Sequence, residues 1–237
     1  NVKILLFSFL LLIGVILNAQ ENNSIPMIGS SAPTFTAETT NGILNFPGDY
    51  TYHWKILFSH PQDFTPVCTS EIIELAKMQD EFESLDIKIT IISTGTKENH
   101  LLWKTSIEEY LQPVKINFPF IADDKLKVSK LYGMVQTNST KTVRGVFIID
   151  PDNLVEAVFF YPMNIGRNLD EIIRTVEALQ TARASKLCTP VNWKPGSDLI
   201  VPHYPYTIEQ QIKTPSIICD YYSKGSFLWY KKRLLLP

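Results

Sequence analysis

Short apolar runs and longer amphipathic stretches take turns along the chain. The run WKILFS (54–59) is apolar enough to be buried on both faces and predicts a strand. The stretch that follows residue 68, TSEIIELAKMQDEFESLD, places Ile72, Leu75, Met78 and Phe82 at helical spacing. IKITIIST (87–94) is rich in β-branched residues and predicts a second strand. KENHLLWKTSIEEYL (97–111) predicts a second helix and INFPFIAD (116–123) a short strand or turn. DKLKVSKLYG (124–133) predicts a third helix ended by Gly133. TVRGVFIID and LVEAVFFY read as two strands around the turn residues 151–153, a hairpin. NLDEIIRTVEALQTAR (168–183) predicts a last helix with Asn168 as its N-cap. Residues 20–32 are polar and extended. Helices alternating with strands, closed by a hairpin and a helix, predict an α/β sandwich.

Two segments stand apart from that alternation. Residues 185–237 hold six prolines and many aromatics with little regular period, and read as a smaller appended domain. It would rest on the first domain or on another subunit. At the other end, Lys3 precedes fourteen uncharged residues from Ile4 to Leu17, followed by Asn18-Ala19. A short charged region, an apolar region and a small residue predict a secretory signal over residues 1–19, and with it an exported protein, secreted or periplasmic. An uncleaved membrane anchor is the alternative, although the run falls short of the roughly 20 residues a spanning helix needs. No stable membrane span is expected once a signal is removed.

Composition narrows the function classes. With 45% hydrophobic and 19% charged residues the chain is ordinary for a globular protein. A formal charge of −2 gives no electrostatic footprint for nucleic acid. No glycine-rich phosphate loop is present. The three cysteines, Cys68, Cys188 and Cys219, are too far apart for a CxxC pair, so neither a zinc ribbon nor a thioredoxin-type dithiol is supported. An odd number leaves at least one cysteine free or bonded to another chain.

Cys68 lies in FSHPQDFTPVCTSEI (58–72), where a strand gives way to a helix. Pro66 has its φ preset for the first helical position and lacks the N–H that would be unpaired there. The residue before a proline is driven to extended backbone, as an N-cap requires, and threonine is a favoured N-cap. Thr65 is therefore expected to cap, and Cys68 to be third in the helix. A sulfur in the first turn meets unpaired N–H groups and the positive end of the helix dipole, surroundings that favour the nucleophilic thiolate. The Thr65 hydroxyl has a donor to spare for the sulfur or a substrate oxygen. A cysteine that merely fills a strand–helix corner is the alternative local reading.

These residues resemble the peroxiredoxins of the AhpC/TSA family, in which proline, threonine and cysteine recur with the spacing of Pro61, Thr65 and Cys68. GSSAPTF (29–35) resembles the family's opening strand, STGTKENHLLWKTSIEE (93–109) the segment after the second strand, and VRGVFIIDP (143–151) the strand with the active-site arginine, here Arg144. YPMNIGRNLDEIIRTVEALQ (161–180) and TPVNWKPGSDLIVP (189–202) resemble the one-cysteine subgroup and its C-terminal domain. The resemblance implies a thioredoxin-like fold over residues 27–184, a C-terminal dimerisation domain over 185–237, and a homodimer. It implies thiol-dependent reduction of hydroperoxides, with Cys68 as nucleophile, Arg144 and Thr65 stabilising and orienting the peroxide, and Pro61 shielding the sulfur. No metal or organic cofactor is required. The partners are a hydroperoxide and a thiol reductant, either a small thiol or a thioredoxin-like protein.

Glu71 would hold Arg144, Arg167 would be a second guanidinium near the site, and His60 matches the subgroup's SHP. Cys219 is a possible resolving cysteine, and Cys188 reads as a buried stand-in for alanine. Some relatives also resemble lipid hydrolases through a Gly-Asp-Ser-Trp-Gly stretch. Here GDYTYHW (48–54) puts Tyr50 in the serine position, so no acyl-transfer activity is expected. A catalytically silent binding or holdase protein of the same fold is the competing function, and a protein disulfide oxidoreductase a third.

Overall fold

The strands at the centre are the ones with no polar face. In the computed structural model, which describes residues 25–136, 138–202, 220–224 and 228–232, β3 (Trp54–Ser59) and β6 (Arg144–Ile149) are buried at every position. They lie side by side, antiparallel. The flanking strands are β1 (Phe35–Thr39), β2 (Gly42–Phe46), β4 (Ile87–Ser93), β5 (Phe120–Ala122) and β7 (Val155–Tyr161). Together they form one seven-stranded sheet in the order β2-β1-β5-β4-β3-β6-β7. β3, β4 and β5 are parallel neighbours, and the remaining pairs are antiparallel.

Alternation along the central strands feeds two cores. Ile56, Phe58, Val146 and Ile148 point to one face, where they meet Ile72 and Leu75 of α1 (Pro66–Ser84), Trp103 of α2 (Lys97–Tyr110) and Val176 of α4 (Leu169–Ser185). Leu57, Phe147 and Ile149 point to the other, against Tyr132, Met134 and Phe46. Asn168 caps α4 as the sequence predicts, its side chain accepting from the Glu171 N–H at 3.2 Å.

Two elements differ from the sequence expectation. The stretch 29–35 is not itself a strand; β1 begins only at Phe35 and folds back on β2 as a hairpin. The turn is Thr40-Asn41, and Gly42, which opens β2 opposite Thr39, takes the positive φ of 111° that follows it. The third helix, α3, is only Lys127–Leu131. Leu126 sits in the left-handed region at φ 57° and separates the helix from the turn before it, while the Asp123 carboxylate accepts from the N–H groups of Val128 and Ser129.

After α4 the chain makes a separate three-stranded sheet, β8 (Leu199–Ile200), β10 (Trp229–Lys231) and β9 (Tyr221–Ser223), in that order. Cys188 is bridged to Ile200 through paired backbone bonds of 2.8 and 2.7 Å, and its side chain is exposed, not buried as the alanine comparison suggested. The apolar segment 4–17 and Cys219 lie outside the described residues. Among the described residues no helix is long and apolar enough to cross a membrane.

Candidate active site

Thr65 has the extended backbone of an N-cap, φ −103° and ψ 147°, and Pro66 opens α1. Cys68 is third in the helix, and its side chain is fully buried. The threonine hydroxyl does not cap, contrary to the sequence expectation. It donates to the Gln62 carbonyl at 2.9 Å and so closes the loop in front of the helix. Its lone pairs are left for another donor. Pro61 is buried at the start of that loop.

Arg144 begins β6, beside the end of β3, and its Nη1 donates to the Cys68 sulfur at 3.3 Å. The same Nη1 donates to Glu71 Oε2 at 2.8 Å, and Nε and Nη2 both donate to the Met163 carbonyl. Glu71, one turn after Cys68, also takes three bonds from Arg167: backbone N–H at 2.9 Å, Nε at 2.8 Å and Nη2 at 2.7 Å. Arg167 Nη1 ties the carbonyls of Ser59 and Gly145, and its guanidinium lies 3.3 Å above the Phe58 ring centroid. Burial alone would raise Glu71, but the hydrogen bonds and charge of Arg167 and the charge of Arg144 outweigh it and hold its carboxyl below the ordinary range.

The charges in this buried cluster do not balance without the sulfur. Two guanidiniums, 2% and 7% exposed, face one carboxylate. Uncompensated buried charge is expensive, so the cluster favours a further negative charge within reach of Arg144. Nη1 of Arg144 reaches sulfur and carboxylate together while Nε and Nη2 hold the Met163 carbonyl, a spread of donors that a lysine ammonium does not have.

His60 directly follows β3 and is fully buried. Its Nε2 meets Asp63 Oδ1 at 2.8 Å, and burial pushes its pKa down, so the ring is neutral. Its hydrogen bond is to Asp63 rather than to the sulfur. Sequence reasoning missed Asp63 and His100, whose Nδ1 lies 2.6 Å from Asp63 Oδ2. The signal was there: His100, Trp103 and Ile107 share the buried face of α2 at helical spacing.

Residues 28–158 match the AhpC/TSA family, and residues 178–209 match the C-terminal domain of 1-Cys peroxiredoxin. A peroxiredoxin of Methanosarcina mazei is 48% identical over 185 residues, covering 75% of this chain and 84% of its own. The structure of a yeast mitochondrial 1-Cys peroxiredoxin is similar with a TM-score of 0.79 and 34% identity, covering 88% of this chain and 100% of that one. Peroxiredoxin 6 of Arenicola marina, as a Cys-to-Ser mutant, superposes with a TM-score of 0.78 and 30% identity, covering 89% and 99%. These similarities carry the thioredoxin-like fold and disfavour the silent-scaffold reading. The chain belongs to the AhpC/TSA family as a one-cysteine peroxiredoxin, a thiol-dependent peroxidase.

Proposed function

We propose that Cys68 is the nucleophile of this peroxidase, with Arg144, Thr65 and Pro61 around it. The observation that carries this assignment is the 3.3 Å bond from Arg144 Nη1 to the buried sulfur within a cluster that lacks one negative charge. The thiolate attacks one peroxide oxygen; the S–O bond forms as the O–O bond breaks. The departing oxygen leaves with the electron pair and takes a proton to become water or an alcohol, and the sulfur becomes a sulfenic acid. Arg144 offers N–H groups to the charge that builds on the oxygens. Thr65 presents its hydroxyl lone pairs to the peroxide's own proton, and Pro61 keeps bulk water off the sulfur. Glu71 and Arg167 act behind Arg144 as its support, and His60 acts through Asp63. Stopped-flow titration of the protein with hydrogen peroxide tests the assignment: one fast equivalent, absent in Cys68→Ser, is expected. An equal reaction in Cys68→Ser overturns it.

An external thiol, small or thioredoxin-like, then condenses with the sulfenic acid and a second thiol frees Cys68. The yeast relative's thiol resolution runs through glutathione and thioredoxin systems, which supports this route here. Non-reducing electrophoresis after one equivalent of peroxide separates it from resolution by Cys219: a crosslinked dimer lost in Cys219→Ser favours the internal cysteine.

The protein is further proposed to be an exported homodimer divided near residue 185. The apolar run after Lys3 supports export. The end of α4 at Ser185, before the separate small sheet, supports the division. β7 supports the dimer: it is a seven-residue edge strand carrying Ala157, Val158, Phe159 and Phe160, and such an edge invites a second copy to pair with it. Light scattering reads the mass, with twice that of one chain expected and a single-chain mass refuting the dimer.

A further inference from the structure

We propose that Asp63 and His100 are positioning residues of the peroxidase, which hold the loop of residues 61–65 so that Thr65 and Pro61 stand correctly over Cys68. This rests on the roles just assigned to those two residues. Asp63 lies midway between them. Its carboxylate is 6% exposed and is bonded by three side chains: His60 Nε2 at 2.8 Å, His100 Nδ1 at 2.6 Å and Ser93 Oγ at 3.3 Å. Those groups come from the residue just after β3, the first turn of α2 and the end of β4. His100 is itself fixed from behind, its Nε2 lying 3.1 Å from the Ile121 carbonyl of β5. The carbonyl only accepts, so Nε2 of His100 donates to it.

The loop needs such a hold. Phe64, between Asp63 and Thr65, is a bulky residue at φ 57° with its ring exposed. A left-handed backbone at a bulky residue persists only where the surroundings over-determine it. On one side of Phe64 stands the Asp63 anchor; on the other, the Thr65 hydroxyl is tied to Gln62 of the same loop and its carbonyl to the Thr69 N–H of α1. The segment after β4 is laid directly on the anchor. A Cβ on Gly95 would come 2.7 Å from His100 Cε1 and 2.9 Å from Asp63 Oδ2. None of these groups touches the reacting sulfur, so their effect reaches the peroxide through loop geometry.

Two polar replacements of His100 separate this role from a general structural one. His100→Asn keeps a donor where Nδ1 serves Asp63 and gives up the link to Ile121. His100→Gln keeps a donor where Nε2 serves Ile121 and gives up Asp63. In the full-length protein, His100→Gln is expected to slow the stopped-flow reaction with hydrogen peroxide about tenfold or more, while His100→Asn stays within roughly threefold of the parent. The ultraviolet thiolate absorbance assigned to Cys68 by difference from Cys68→Ser is expected to be unchanged in both. Equal rates in the two variants, or a peroxide rate that falls only together with the thiolate signal, overturn the proposal. If the parent protein itself fails to react through Cys68, the assignment of the nucleophile has failed instead, and the parent trace shows that directly.

Discussion

Glu71 offers the sharpest quantitative test of the buried cluster. In Glu71→Gln the shape is kept, but one carboxylate oxygen becomes an amide that donates. Oε1 accepts from the Arg167 N–H and Nε, and Oε2 from Arg144 Nη1 and Arg167 Nη2, so either orientation of the amide turns two acceptances into donor–donor contacts. It also leaves two buried guanidiniums without their shared counter-charge. Breaking a buried pair in this way costs about 3–5 kcal/mol. At roughly 2–4 °C per kcal/mol for a chain of this size, the melting temperature should fall by about 10 °C. The sign with pH follows from the depressed carboxyl. A group whose folded pKa lies below its unfolded value contributes fully above the ordinary glutamate value of about 4.3, and that contribution fades as pH falls towards the depressed value. The gap between parent and Glu71→Gln, read by denaturant unfolding, should therefore be widest at neutral pH and narrow in acid. A gap under about 1 kcal/mol at neutral pH, or one that widens in acid, would refute the buried-cluster argument.

Arg144→Lys keeps the charge but not the fork, and should slow peroxide cleavage about 100-fold in stopped flow, the scale of one lost oxyanion donor. Thr65→Val should slow the same reaction at least about tenfold while Thr65→Ser retains most of it. Because the hydroxyl serves the Gln62 carbonyl and not a helix N–H, Thr65→Val should lower stability by no more than about 1 kcal/mol in denaturant unfolding. Gly95→Ala forces a methyl against His100 and Asp63 and should destabilise by about 1–3 kcal/mol, measured the same way.

The parts of the fold legible in sequence were those with a strong period. WKILFS and the helix opened by Pro66 were read to within a residue or two, because both-face burial and helical spacing leave a clear trace. The β1–β2 hairpin was missed since its outer strand alternates Ile43 outward with Leu44 inward, a weaker pattern than an apolar run. The short α3 was overestimated because Leu126 in a left-handed conformation carries no sequence mark. At the site, Cys68, Glu71 and Arg144 were legible, and the structure brings them within bonding distance together with Arg167. What sequence did not give was who bonds whom: Thr65 resembles a cap but turns to Gln62, and Asp63 and His100, 37 residues apart, meet because they follow the paired parallel strands β3 and β4.

The proposed chemistry stands on a thiolate at Cys68 that completes the charge of Arg144, Arg167 and Glu71. The ultraviolet thiolate absorbance of the reduced protein at neutral pH, minus that of Cys68→Ser, measures it most directly. The difference should equal one full thiolate and vanish when one equivalent of hydrogen peroxide is added. A difference of zero at neutral pH, with the absorbance appearing only in strong alkali, would contradict the account.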